Sequence, residues 1–155
     1  MGWWGMVAAI GVWTCGVATA AGCIAREHPL QQGEYQLAVE SNLEDGCGLS
    51  GGGLFAWTGR YSVNGDYVRL TYDPLEITLV GAYGEVSDDF DLAGTRGPLN
   101  LTLPGGACDV DLAQVILDGQ TDSENAFHGT LQVRYEKRNS DACSCETRST
   151  YRASR

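Results

Sequence analysis

From Glu34 onward, apolar and polar positions alternate with a period of two, the spacing of strands that bury one face. Tyr35, Leu37 and Val39 open the series, and Phe55 and Trp57 repeat it. Tyr61 and Val63, then Val68, Leu70 and Tyr72, flank Asn64-Gly65. Asn-Gly accepts positive φ and predicts a tight hairpin there. Leu75, Ile77 and Leu79 alternate up to Gly81, Phe90 and Leu92 form a short run, and Leu99, Leu101 and Leu103 alternate until Pro104-Gly105-Gly106. Residues 112–117 are a compact apolar run ending at Asp118-Gly119. Residues 110–117 are the one place where a helical turn would fit. Phe127, Gly129, Leu131, Val133 and Tyr135 make the longest stretch of period two, and a last strand is predicted over 145–151.

About eight or nine short strands, punctuated by Gly, Asn, Asp and Pro and without crossover helices, imply antiparallel pairing. The expectation is an all-β fold: one small up-and-down antiparallel barrel of about eight strands over residues 34–155. Closure would remove the exposed strand edges that aggregate. A β-sandwich is the alternative.

The first 22 residues are different. They carry no charge, are rich in apolar and small residues, and close in Ala18-Thr19-Ala20-Ala21-Gly22 before Cys23. Four glycines interrupt a run only just long enough to span a bilayer, and its small-residue end fits a signal-peptide cleavage site. Ala20-Ala21-Gly22-Cys23 resembles the lipobox of bacterial lipoproteins. The resemblance implies cleavage before Cys23, acylation of its thiol and new N-terminus, and attachment to the cell envelope. Ile24 follows the cysteine where, in lipoproteins of enteric bacteria, an Asp favours inner-membrane retention, so the resemblance implies the outer membrane. Residues 1–22 are then the signal peptide and 23–33 the lipidated cysteine and its tether. A secreted or periplasmic protein cut after Ala20 or Ala21 is the alternative. The barrel expected over 34–155 looks like the small lipocalin-like barrels carried by envelope lipoproteins, in architecture alone.

The formal charge of −10 lies wholly beyond residue 22. With few cations to meet phosphates, the domain is unsuited to nucleic acid or to peripheral binding of anionic lipid; membrane contact must come from the anchor. Of six cysteines, Cys15 leaves with the leader and Cys23 goes to lipid. The remaining Cys47, Cys108, Cys143 and Cys145 are expected to form two disulfides in an oxidising compartment. Cys143 and Cys145 are too cramped for an easy mutual bond. Each is therefore expected to take a distant partner, Cys47 for one and Cys108 for the other. Cys-x-Cys is not a zinc spacing, and only His28 and His128 could add ligands, so no metal or other cofactor is expected.

Candidate chemistry is sparse. Gly48-Leu49-Ser50-Gly51-Gly52 matches the nucleophile-elbow pattern, with His128 downstream, but residues 41–48 read as a polar turn where the elbow needs a buried strand. Asp88, Asp89 and Asp91 read as one acidic loop and Asp118, Asp122, Glu124 and Asn125 as another, neither with the spacing of a known calcium loop. Trp57, Tyr61, Tyr67 and Tyr72 are the candidate ligand-contact residues. The expected function is an envelope lipoprotein whose β domain is structural or binds a small hydrophobic ligand or an envelope protein, without catalytic activity. The alternatives are a secreted hydrolase using carboxylates or Ser50, and a periplasmic inhibitor or assembly partner.

Overall fold

A computed structural model describes residues 30–49, 56–65, 67–84, 88–103, 105–138 and 143–155. Ten strands follow in order: β1 Gly33–Asp45, β2 Ala56–Asn64, β3 Tyr67–Tyr72, β4 Ile77–Tyr83, β5 Asp89–Arg96, β6 Leu99–Leu103, β7 Gly106–Val110, β8 Leu112–Ser123, β9 Ala126–Glu136 and β10 Cys145–Ser154. Eight of them close into an antiparallel barrel in the order β1-β10-β9-β8-β5-β4-β3-β2. Neighbours in the chain are neighbours in the wall, apart from the β6–β7 hairpin, which is inserted between β5 and β8. The fold is therefore the expected up-and-down barrel.

The period-two residues face inward. Leu37 pairs with Trp57 on one side and Ala153 on the other, and Leu92 pairs with Leu117. Leu37, Val68, Leu70, Leu79, Leu92 and Leu117 are all buried and fill the middle. At the Asn-Gly hairpin, Asn64 pairs with Tyr67 and Gly65 takes φ +63.

Several local expectations are corrected. Leu75 is not in a strand: Pro74 starts a short 3₁₀ turn at Asp73–Leu75 and Leu75 is buried by it. Residues 41–45 are not a turn but the end of β1, held by β10 through pairs such as Asn42 with Ser149. Asp118-Gly119 does not end the strand before it; β8 runs on to Ser123, and only Glu124 and Asn125 turn the chain. Asp89 and Asp91 belong to β5, not to a loop. Residues 41–45 are held by β10 alone and Asp118-Gly119 by β5 and β9 together, and this pairing outweighed polar composition. The β7 strand, rich in Gly and Ala, was not foreseen.

The two ends of the barrel differ. At one end lie the hairpin turns β2–β3, β4–β5 and β8–β9, the start of β1 and the end of β10. Aromatic rings plug this end. Phe127 meets Tyr35 and Phe90 with centroids 5.3 Å apart in each case, and Tyr151 at 5.9 Å. Buried Leu30 precedes β1 here, and the Gln31 amide N–H donates to Glu124 O at 2.7 Å.

The opposite end carries the longer connections and both disulfides, Cys47–Cys145 and Cys108–Cys143. They tie the β1–β2 connection to β10, and the β6–β7 hairpin to the β9–β10 connection. Main-chain bonds brace the same end: the Gly46 N–H donates to Glu146 O at 2.9 Å and the Asp111 N–H to Glu136 O at 2.8 Å.

Candidate functional site

The cross-linked end opens into a small notch of about 50 Å³. Its polar lining comes from Asn42, Glu44 and Asp45 on β1, Thr147 and Ser149 on β10, Tyr72 on β3 and Tyr135 on β9. The strand period explains the set. Tyr135 continues the inward row of Leu131 and Val133 to the end of β9, so its ring tops that row. Register irregularities between Val39 and Ser41 and between Asn42 and Glu44 let β1 turn both Asn42 and Asp45 toward the notch. The Leu49 N–H donates to Asp45 Oδ1 at 2.8 Å, which fixes the carboxylate beside the Cys47 disulfide.

Phenol hydroxyls are treated differently at the two ends. At the plugged end Tyr35 donates to Gln31 O at 2.7 Å, Tyr151 donates to Asp118 O at 3.1 Å, and the hydroxyls of Tyr61 and Tyr83 lie 2.7 Å apart. Tyr72 and Tyr135 are each only 6% exposed, and their hydroxyls, which are not among the buried polar atoms without a partner, belong to side chains that line the open notch. Burial pushes both phenol pKa values up, and for Tyr72 the neighbouring Tyr135 adds to the shift. Trp57 meets Tyr72 edge to face at 4.9 Å, and its buried Nε1 has no partner among the described residues.

Of the four candidate contact residues, Trp57 and Tyr72 come together at the cross-linked end. Tyr61 is buried in the aromatic plug at the other end, 6.0 Å from Tyr35. Tyr67 stands outside the barrel, 63% exposed. Tyr135, Asn42 and Asp45 were missed. The signal for Tyr135 was its phase with Leu131 and Val133; for the other two there was none, since residues 41–48 look like a turn. The four paired cysteines sit where the long connections meet. Cys23, His28, Ser50 and Phe55 lie outside the described residues.

The remaining candidates lie on the outer wall. His128 Nδ1 is 2.7 Å from Asp122 Oδ1, and Arg152 links Asp122 to Glu40. Asp91 on β5 faces Asp118 on β8 directly, and Thr130 donates to Asp118 at 2.9 Å. Asp91, Asp118, His128 and Thr130 border a shallow depression with Asp89 and Arg148. No group of three or more His, Cys, Asp or Glu that could hold a metal ion occurs among the described residues. No helix among them is long and apolar enough to cross a membrane.

Comparison with protein-family models, with curated proteins and with solved structures finds no match. The site must therefore be read from its own geometry.

Proposed function

We propose that this chain is an exported lipoprotein, anchored through Cys23, whose barrel holds its disulfide-tied end away from the membrane as a docking surface for another envelope protein. The observation that carries the reading is the asymmetry of the barrel. The first described residues, Leu30 to Gln32, lead into β1 at the plugged end, while both disulfides and the longer connections lie at the other. Leu30 comes seven positions after Cys23, a reach of about 25 Å at full extension. An anchor at Cys23 would keep the plugged end near the leaflet and turn the cross-linked end outward. Cross-links that limit loop motion lower the ordering cost of binding, which favours a recognition surface.

The packed middle weighs against carriage of a hydrophobic molecule within the barrel. Ligand pockets usually enclose roughly 300–1,000 Å³, whereas the notch offers about 50 Å³. A hydrolase would need a nucleophile in reach of a base; the His128–Asp122 pair is on the outer wall, bordered by carboxylates.

Metabolic labelling with a palmitate analogue tests the anchor. The wild-type chain is expected to be labelled and the Cys23→Ala variant not. Equal labelling of the two, or of neither, would remove the anchored reading. Photo-crosslinkers at Leu101 and at Asn125 then test the polarity: adducts with envelope proteins are expected from Leu101 alone.

A further inference from the structure

We propose that the β6 edge at the disulfide-tied end pairs with the β6 edge of a second copy of this chain, in an antiparallel dimer centred on Leu101. The β6–β7 hairpin is a sheet of its own, and no described strand other than β7 pairs with β6. In an antiparallel pair, alternate residues turn their main-chain N–H and C=O groups away from the partner strand. β6 therefore presents a row of such groups along its outer side. Its companion β7 carries Asp109 and is tied through Cys108 to the β9–β10 connection; β6 has neither guard.

Exposed edges are ordinarily blunted by charges, by proline within the strand or by bulges. β6 reads Leu99-Asn100-Leu101-Thr102-Leu103, with no charge, no proline and no shift of register against β7. Of the ten strands only β4 also lacks a charged residue, and β4 is paired on both sides, with β3 and β5. A net charge of −10 opposes contact between two copies, and an uncharged edge is where that opposition is least.

The order of residues in β6 selects a second copy as the occupant, because it reads nearly the same in both directions. Antiparallel pairing about Leu101 sets Leu99 opposite the partner's Leu103, Leu101 opposite the partner's Leu101 and Asn100 opposite the partner's Thr102. The leucines share the half-buried face, where Leu99 and Leu101 pack against the core. Asn100 and Thr102 share the exposed face. Each face of the joined sheet thus continues across a two-fold axis, apolar beside apolar and uncharged polar beside uncharged polar, as a self-complementary interface requires. The Cys108 disulfide already holds the hairpin, which lowers the ordering cost of pairing.

The inference rests on reading this end as the docking end but needs no anchor. Its test is sedimentation equilibrium of the full chain in density-matched detergent. Failure there removes the second copy as partner and leaves the anchored reading to its labelling experiment. Five residues a side make a small interface, and a dimer with a dissociation constant of about 0.1 mM is expected. Asn100→Lys with Thr102→Lys sets like charges opposite each other twice and is expected to weaken the dimer at least about tenfold. Asn100→Lys with Thr102→Glu sets opposite charges in the same places and is expected to stay within about threefold of wild type. Both double variants change exposed side chains only, and each is expected to keep the wild-type circular dichroism. A wild-type chain that stays monomeric at about 1 mM would overturn the proposal without recourse to any variant, and would leave the edge to a strand of a different protein. A dimer that survives the first double variant, or is lost equally in the second, would also overturn it, because the contact would then lie elsewhere or run in another register.

Discussion

Cys143 and Cys145 stand two positions apart, yet each is bonded to a distant part of the chain. Cys143 holds the β6–β7 hairpin through Cys108, and Cys145 holds the β1–β2 connection through Cys47. The segment between them is thus a hub joining three connections at one end of the barrel.

The two cross-links should differ in weight. They span 98 and 35 residues. In the chain-entropy model these loops are worth about 4.7 and about 3.8 kcal/mol. Replacing Cys47 and Cys145 together by Ser is expected to cost more stability in urea unfolding than replacing Cys108 and Cys143 together. The reverse order would mean that strain or residual structure, rather than loop length, sets their contribution.

Gly119 makes room for a ring. A Cβ placed there would lie 2.3 Å from the Phe90 ring, inside the aromatic plug. Gly119→Ala is expected to destabilise the barrel by about 1–3 kcal/mol through overpacking. Adding Phe90→Leu should recover part of that loss, because the clash goes with the ring. A double-mutant cycle measures the coupling; additive costs would mean that the plug relaxes without Phe90.

Alkali should unfold the domain cooperatively. Burial raises the phenol pKa of Tyr72, Tyr135 and Tyr151 above the ordinary 10.0, and for Tyr151 the charge of Asp118 adds to it. Their contribution is fully present below the unfolded-state value and is lost as pH rises from there toward the folded-state values. Each such tyrosine removes up to about 1.4 kcal/mol per pH unit in that window. Tyrosinate absorbance and near-ultraviolet circular dichroism are expected to change together. Stepwise ionisation of these phenols in a barrel that stays folded would contradict the burial.

Acid acts through Glu146. The hydrogen bond from Arg134 Nε, 2.9 Å away, holds its carboxyl below the usual 4.5, opposed by partial desolvation and aided by Gln132. A depressed carboxylate stabilises above its unfolded-state pKa and loses that contribution as pH falls through the folded value. Glu146→Gln is therefore expected to flatten the dependence of urea midpoint on pH between about pH 3 and pH 6. An unchanged slope would show that other carboxylates carry it.

Most of the barrel was legible because period-two alternation is a direct record of which face is buried. Leu37, Leu70 and Leu92 were assigned inward positions by that rule, and all three are buried. The cysteine pairing was legible in outline, through the crowding of Cys143 and Cys145; which took Cys47 and which Cys108 depends on where the β6–β7 hairpin lies, and that is tertiary. The notch was largely illegible. Asn42 and Asp45 face it through register irregularities in β1, which no local pattern marks. Tyr61, Tyr67 and Tyr72 look alike as aromatic residues near a turn, yet the barrel sends one into the plug, one outside and one to the opposite end.

The mass of the intact protein extracted from membranes decides most about the anchored reading. We expect a chain that begins at Cys23, carries the mass of attached acyl groups, and takes up alkylating reagent at Cys47, Cys108, Cys143 and Cys145 only after reduction. A chain that retains residues 1–22, with the Cys23 thiol unmodified, would contradict the anchor and the outward presentation of the cross-linked end with it.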